Sequence, residues 1–202
     1  GLTLHMSGER SSGAYVLMTL SMLEQFGIQV EKNGADCEIG AGQSYGLKEY
    51  DIEPDMSAAC YFYAMAAILN CKATVLGTHK AVSLQGDKKF LGVLRELGCQ
   101  VEDLPEGVTV TGVEHYSGIN VNMKDFSDQA LTMAVVAAFA DTSTRIEHIG
   151  HIRMQECDRI HAIINELNRM GVVCKEVEQI DGVEIIPAPI KPAEIETYED
   201  HR

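Results

Sequence analysis

Three phrases in this chain end alike and fall at a nearly constant interval. They are Glu24-Gln-Phe-Gly27-Ile-Gln-Val, Glu96-Leu-Gly98-Cys-Gln-Val and Arg169-Met-Gly171-Val-Val-Cys, with the glycines 71 and 73 residues apart. Each phrase reads as the end of a helix stopped by a glycine that takes the left-handed conformation without a Cβ penalty. A second marker keeps the same period. Asp55, Asp128 and Asp200 stand 73 and 72 residues apart, and the first two open Ala-rich apolar runs. An aspartate ahead of such a run suits a helix N-cap, because its carboxylate accepts the unpaired amides of the first turn. A repeat of this length is one supersecondary unit that buries its apolar face against its neighbours.

The order within a unit reads strand, apolar helix, strand, amphipathic helix, strand, strand. For the middle unit the pattern predicts strands at 47–53, 72–78, 99–103 and 108–113, with helices at 55–70 and 84–98. For the next it predicts strands at 118–123, 142–149, 172–178 and 182–187, with helices at 128–140 and 155–170. By this register the first unit lacks its opening half, and the chain ends as a third helix begins. The helix at 155–170 places Ile160, Ile163, Ile164, Leu167 and Met170 on one stripe. The runs at 56–69 and 129–140 are apolar nearly all round, which predicts burial on every side. The expectation is therefore α/β, with helices central and sheets outside them, an inside-out barrel of βαβαββ units.

Composition narrows the partners. Thirty acidic against sixteen basic residues give the 202-residue chain a formal charge of −14. Proteins that hold a polyphosphate backbone or an anionic bilayer show the opposite sign, so neither nucleic acid nor membrane is expected as a partner. No apolar run reaches the ~18 residues of a membrane span. The opening residues do not read as a signal peptide. The six cysteines, at 37, 60, 71, 99, 157 and 174, show no close pair. They read as reduced, mostly buried thiols in a cytoplasmic protein. His148 and His151 form an HxxH without a third ligand at metal spacing, so no metal and no cofactor are expected.

The helix starts carry the candidate chemistry, since free amides and the helix dipole bind anions there. Asp128 and Arg202 stand at two such starts. Glu156 and Arg159 fall in the first turn of the helix at 155–170, three apart and off the apolar stripe. Plain alternatives stay open for each: a surface ion pair for Glu156 and Arg159, an N-cap for Asp128, a capping role for Ser11, Ser12 and Tyr15.

Taken together, these residues resemble a known family. Asp55-Met-Ser-Ala-Ala-Cys-Tyr-Phe, Ser83-Leu-Gln-Gly-Asp87, Asp128-Gln-Ala, Arg153-Met-Gln-Glu-Cys-Asp-Arg159-Ile and Thr197-Tyr-Glu-Asp-His-Arg202 resemble motifs of the 5-enolpyruvylshikimate-3-phosphate synthases and fall in family order. The resemblance implies two inside-out domains of three units each. Residues 1–52 would be the last, partial unit of the amino-terminal domain, and 53–202 would be carboxy-terminal domain. It implies transfer of an enolpyruvyl group from phosphoenolpyruvate to the 5-hydroxyl of shikimate 3-phosphate, in aromatic amino acid biosynthesis. In that reaction Asp128 matches the proton acceptor and Glu156 the proton donor to carbon. Arg159 and Arg202 match arginines that hold phosphoenolpyruvate. Ser12, Tyr15, Asp128, His151 and Gln155 match shikimate 3-phosphate contacts, Gln155 standing where the family usually has Lys. Several family lysines and arginines have no counterpart here, so the resemblance implies that 1–202 alone is inactive. The alternatives are another enolpyruvyl transferase, such as the UDP-N-acetylglucosamine enzyme, which generally lacks the Thr-Tyr-x-Asp-His-Arg signature, or a noncatalytic α/β module.

Overall fold

The computed structural model describes residues 1–8 and 13–202. Ser12 and its neighbour Ser11 lie outside the described residues. The chain order is β1 (Leu2–His5), α1 (Gly13–Gln25), β2 (Val30–Asn33), β3 (Asp36–Ile39), α2 (Met56–Ile68), β4 (Lys72–Leu76), α3 (Phe90–Glu96), β5 (Gln100–Leu104), β6 (Gly107–Thr111), β7 (Asn120–Asn122), α4 (Ala130–Ala138), β8 (Thr144–Glu147), α5 (Arg159–Arg169), β9 (Val173–Val177) and β10 (Gly182–Ile186).

Three sheets repeat one topology. Their orders are β1-β3-β2, β4-β6-β5 and β7-β8-β10-β9. In each, the last strand of the unit lies in the middle, antiparallel to both neighbours. Only the third sheet adds an opening strand, β7, parallel to β8 across the α4 crossover. The third unit is thus a full βαβαββ. Among the described residues the sheets are separate and do not close into a barrel.

The repeat glycines take the conformation their spacing predicts: φ is +85° at Gly27, +96° at Gly98 and +88° at Gly171. All three helix ends make the same pair of bonds. Gly27 donates to Glu24 and Ile28 to Leu23; Gly98 donates to Arg95 and Cys99 to Leu94; Gly171 donates to Asn168 and Val172 to Leu167. These are the 5→2 and 6→1 bonds that satisfy the last carbonyls of a helix. One residue type, repeated, therefore turns three amphipathic helices into the strands that follow.

The core is built from the Ala-rich helices. Ala59, Cys60, Tyr63, Ala66 and Ala67 of α2 and Ala130, Met133, Ala134, Val136 and Ala137 of α4 are buried in one cluster. Small side chains let α2 and α4 approach each other, and the sheets lie to their outside. On α5, Ile160, Ile163 and Leu167 are buried, with Ile164 and Met170 at the edge of the core. Four of the six cysteines are buried and all are free; Cys71 is exposed and Cys157 half-buried.

Several expectations are corrected. Residues 47–53 form no strand. Among the described residues no strand takes the place beside β4 that β7 takes beside β8. The helix expected at 84–98 splits into a 3-10 turn at Gly86–Lys89 and the shorter α3. The helix expected at 155–170 starts only at Arg159, capped by Asp158, whose carboxylate accepts from His161. Asp55 caps α2 as expected, accepting from Ala58, but Asp128 makes no capping bond. Nor are α2 and α4 buried on every side: Tyr61, Phe62, Met65, Leu69, Val135 and Phe139 are exposed. Two helices in contact cover only their facing sides. Among the described residues no helix is long and apolar enough to cross a membrane.

The left-handed glycines generate a stability prediction. An L-residue in this conformation costs roughly 1–2 kcal/mol, so Gly98→Ala and Gly171→Ala should each lower the unfolding free energy by about that much in urea melts. Gly92 lies inside α3, and a Cβ there meets nothing within 4 Å. Gly92→Ala should therefore raise stability, by about 0.5–1 kcal/mol.

Candidate active site

Three segments distant in sequence meet at the mouth between α4 and α5. The first is the 3-10 turn Ser127–Gln129 ahead of α4. The second is Gln155–Arg159, the entry into α5. The third is the chain end, where Tyr198 and Glu199 both have φ +53°. Two consecutive non-glycine residues in that region are strained by roughly 1–2 kcal/mol each. The Tyr198 hydroxyl donates to Glu166 Oε1 at 2.6 Å, and Arg159 holds Asp200 on the other side of the bend.

Arg159 is the centre of the site. It is 1% exposed, and its five N–H donors all find acceptors. Nε donates to Asp200 Oδ2 at 2.8 Å and Nη2 to Asp200 Oδ1 at 3.0 Å. Nη2 also donates to Glu156 Oε2 at 2.7 Å. Nη1 donates to Asp128 Oδ1 at 3.2 Å and Gln155 Oε1 at 2.5 Å. The fork on Asp200 is the bidentate geometry a guanidinium favours. Asp200, 3% exposed at its side chain, also accepts from the Arg202 amide and the Cys157 thiol. Arg159's hydrogen bonds hold the Asp200 carboxyl far below the usual carboxylate range.

Asp128 faces two arginines and a phenol. Tyr15 of α1 donates to its Oδ2 at 2.7 Å, and Arg202 Nη2 lies 3.3 Å from the same oxygen. Gln155 Nε2 reaches Oδ1 at 3.3 Å. Burial pushes the Asp128 carboxyl up, but the Tyr15 hydrogen bond, Arg202, Arg159 and Gln155 outweigh it, and the net shift is downward. Asp128 is a carboxylate at neutral pH. Tyr15 is pushed the other way, by burial and by its hydrogen bond to Asp128, so it stays a donor.

These groups surround a cavity of about 510 Å³ lined by Tyr15, Asp128, Gln155, Glu156, Arg159, His201 and Arg202. Six of the residues singled out in the sequence therefore share one cavity. His151 is not in the lining; its Nε2 pairs with Ser127 Oγ at 2.8 Å, and burial, the largest influence, lowers its pKa. Glu156 does not sit in the first turn of α5, yet it meets Arg159 as the spacing suggested. Asp200 and His201 were missed as site members. The signal lay in the same Thr197–Arg202 run, where Asp200 reads equally well as a helix cap. Glu156, Asp200 and His201 alone among the described residues have ligand atoms grouped closely enough for a metal ion. Both carboxylates already pair with Arg159, so a cation would have to displace an arginine.

The fold and site define a class. The βαβαββ repeat is a fold shared with an EPSP synthase and an enolpyruvyl transferase of known structure. The structure of EPSP synthase from Acinetobacter baumannii matches with a TM-score of 0.78 at 22% identity, covering 98% of this chain and 47% of that one. The enolpyruvyl transferase NikO from Streptomyces tendae matches at 0.64 and 18% identity, over 88% of this chain and 41% of its own. At such identities these likenesses speak for the fold. Residues 1–202 match the family described as EPSP synthase (3-phosphoshikimate 1-carboxyvinyltransferase), and the chain belongs to that family. A 3-phosphoshikimate 1-carboxyvinyltransferase of Nostoc punctiforme is 41% identical over 198 residues, 98% of this chain and 46% of the relative. A chloroplastic one of Arabidopsis thaliana is 40% identical over 93% of this chain and 38% of the relative. The chain spans about half the length of the curated relatives it matches.

The buried ion pair gives a prediction with a defined sign. Asp200 has a depressed folded pKa, so its contribution is complete above its unfolded pKa, about 3.9, and is lost as pH falls toward the lower folded value. Asp200→Asn should cost about 3 kcal/mol near neutral pH, at the low end for breaking a buried pair because Glu156 and Asp128 remain. In urea melts the gap between wild type and variant should narrow as pH drops below 4.

Proposed function

We propose that this chain supplies one side of an active site that transfers the enolpyruvyl group of phosphoenolpyruvate to the 5-hydroxyl of shikimate 3-phosphate, releasing phosphate. The observation that carries the reading is the cavity in which Asp128, Glu156, Arg159 and Arg202 converge. Two anionic substrates need guanidinium forks for carboxylate and phosphate, and the reaction needs two carboxyl groups in different surroundings. In this reading residues 1–52 close an amino-terminal domain and 53–202 belong to the carboxy-terminal one. Six free thiols suit a reducing, cytoplasmic setting, although the relative from Arabidopsis thaliana is chloroplastic.

The geometry supports the following roles. The 5-hydroxyl oxygen attacks C2 of phosphoenolpyruvate and loses its proton to Asp128, already ionised. Glu156 delivers a proton to the methylene carbon; His201 Nδ1 lies 3.4 Å from Glu156 Oε1, near enough to resupply it. The Glu156 carboxylate then takes a proton back from the resulting methyl group as the C–O bond to phosphate breaks, which regenerates the double bond and releases phosphate. Arg159 and Arg202 hold phosphoenolpyruvate, and Tyr15 and Gln155 hold shikimate 3-phosphate. An anion drawing Arg202 away from Asp128 removes a neighbouring cation and raises the proton affinity of that carboxylate. His151, bonded to Ser127, steadies the Asp128 turn, and Ser12 contributes a hydroxyl to shikimate 3-phosphate.

Charge also sets what the chain can do alone. Arg159 and Arg202 face Asp128, Glu156 and Asp200, so the site lacks the cation excess that two anions demand. Residues 1–202 alone should release no phosphate from the two substrates. Placed in the frame of the Nostoc punctiforme relative, in exchange for its matching segment, they should support turnover. In that chimera Glu156→Gln should lower kcat by about 10²–10⁴-fold, the size of a general acid–base contribution. Arg159→Ala should raise KM for phosphoenolpyruvate and, by leaving the buried Asp200 carboxylate unpaired, also lower stability in urea melts. Unchanged steady-state constants in both variants would reject the assignment.

A further inference from the structure

Asp87 belongs to no part of the cavity lining, yet it is a carboxylate 4% exposed at the seam between two units. It sits in the 3-10 turn Gly86–Lys89. Its Oδ2 accepts from Ser57 Oγ at 2.5 Å, in the first turn of α2, and from Gln129 Nε2 at 2.8 Å, at the start of α4. Gln129 is fully buried, and its Oε1 has no partner. Among the described residues the Gln129 amide is therefore held through its donor side, by Asp87. Gln129 is the covalent neighbour of Asp128. Gly86, beside Asp87, brings the turn against two further elements: a Cβ there would lie 2.9 Å from the Asp125 carbonyl oxygen and 3.0 Å from Ala14 Cβ. Asp125 precedes the Asp128 turn, and Ala14 precedes Tyr15. Lys89 closes the same seam, its Nζ 2.6 Å from Asp125 Oδ2.

We infer that Asp87 is a positioning residue: through Gln129 and the close packing at Gly86 it holds the Asp128 carboxylate in register with Tyr15 and Arg202. A charged group is costly to bury, and burial raises the Asp87 pKa against the pull of the Ser57 and Gln129 hydrogen bonds. A side chain serving packing alone would be apolar at this depth. The inference rests on the reading of Asp128 as the proton acceptor of the site, but its geometry is measurable without catalysis.

The test uses residues 1–202 with carbon-13-labelled aspartate carboxyls, following the Asp128 resonance by NMR as pH is varied. The groups facing Asp128 are Tyr15, Gln155, Arg159 and Arg202, with His151 behind the turn through Ser127. Asp87→Leu should break the link and move the Asp128 midpoint up by about one pH unit, as the carboxylate loses aligned donors and a cation. Asp87→Asn should restore the wild-type midpoint, because Gln129 can turn its amide and accept from the new Nδ2 with its free Oε1. Gln129→Leu cuts the same link from the other end and should match Asp87→Leu; it decides the matter if Asp87→Leu fails to fold. A wild-type Asp128 midpoint in a folded Asp87→Leu or Gln129→Leu protein overturns the inference. So does a downward shift shared by Asp87→Asn and Asp87→Leu, which makes the lost negative charge of Asp87, and not its hydrogen bonding, the cause. Failure of the transfer assay with these shifts present would reject the proposed function and leave the positioning role standing.

Discussion

A guanidinium buried to 1% exposure obliges the surrounding structure to surround it with acceptors. Arg159 meets that demand with three carboxylates and one amide oxygen, drawn from three separate stretches of chain. Leaving one member unpaired would cost several kcal/mol, far more than a surface ion pair contributes. The turn ahead of α4, the entry to α5 and the strained bend at Tyr198–Glu199 are consequently fixed relative to one another. The cavity exists because these three segments cannot separate without stranding the charge.

That charge is held in a scaffold with a different logic. The sheets and helices repeat because the same glycine-stopped helix end recurs, and each unit buries apolar surface against the next. The site lies where the units abut, so its members come from neighbouring repeats: Tyr15 from the first, Asp128 and Arg159 from the third, with Asp87 of the second reaching Gln129 beneath them. Gly86 permits that junction because a side chain there would meet both the Asp125 carbonyl and Ala14. Packing between repeats and placement of the carboxylates are thus one constraint.

If the proposed function holds, the site balances its own acids against external anions. The arginines that suit a phosphate are engaged by Asp128, Glu156 and Asp200, and the protein carries a net charge of −14. An incoming anion has to compete with internal carboxylates, and success changes the protonation behaviour of the carboxylate it displaces. In the proposed reading, binding and acid–base chemistry are coupled through these shared guanidinium groups.

Much of this was legible in the sequence, and the exceptions have physical causes. The left-handed glycines, the Asp55 cap, the apolar stripe of α5 and most strands follow from local sterics and periodicity, which a short window contains. The motif residues Tyr15, Asp128, Gln155, Glu156, Arg159 and Arg202 were identifiable as a set. Segment 47–53 had a strand's pattern and no partner, and pairing is not a local property. Asp128 and Asp200 had the identity of helix caps, but Asp128 makes no capping bond, and Asp200 accepts from Arg159 as well as from the Arg202 amide. Aspartate serves both uses, and the choice depends on which charge stands opposite. The bonds that decide it join residues 31, 41 and 74 positions apart. The sequence by itself determined the repeat, its handed turns and the inventory of charged groups, because those are set by residue type and spacing. Only the tertiary structure decided which carboxylate faces which guanidinium and that Asp87 stands behind Asp128, because those pairings arise where separate repeats pack.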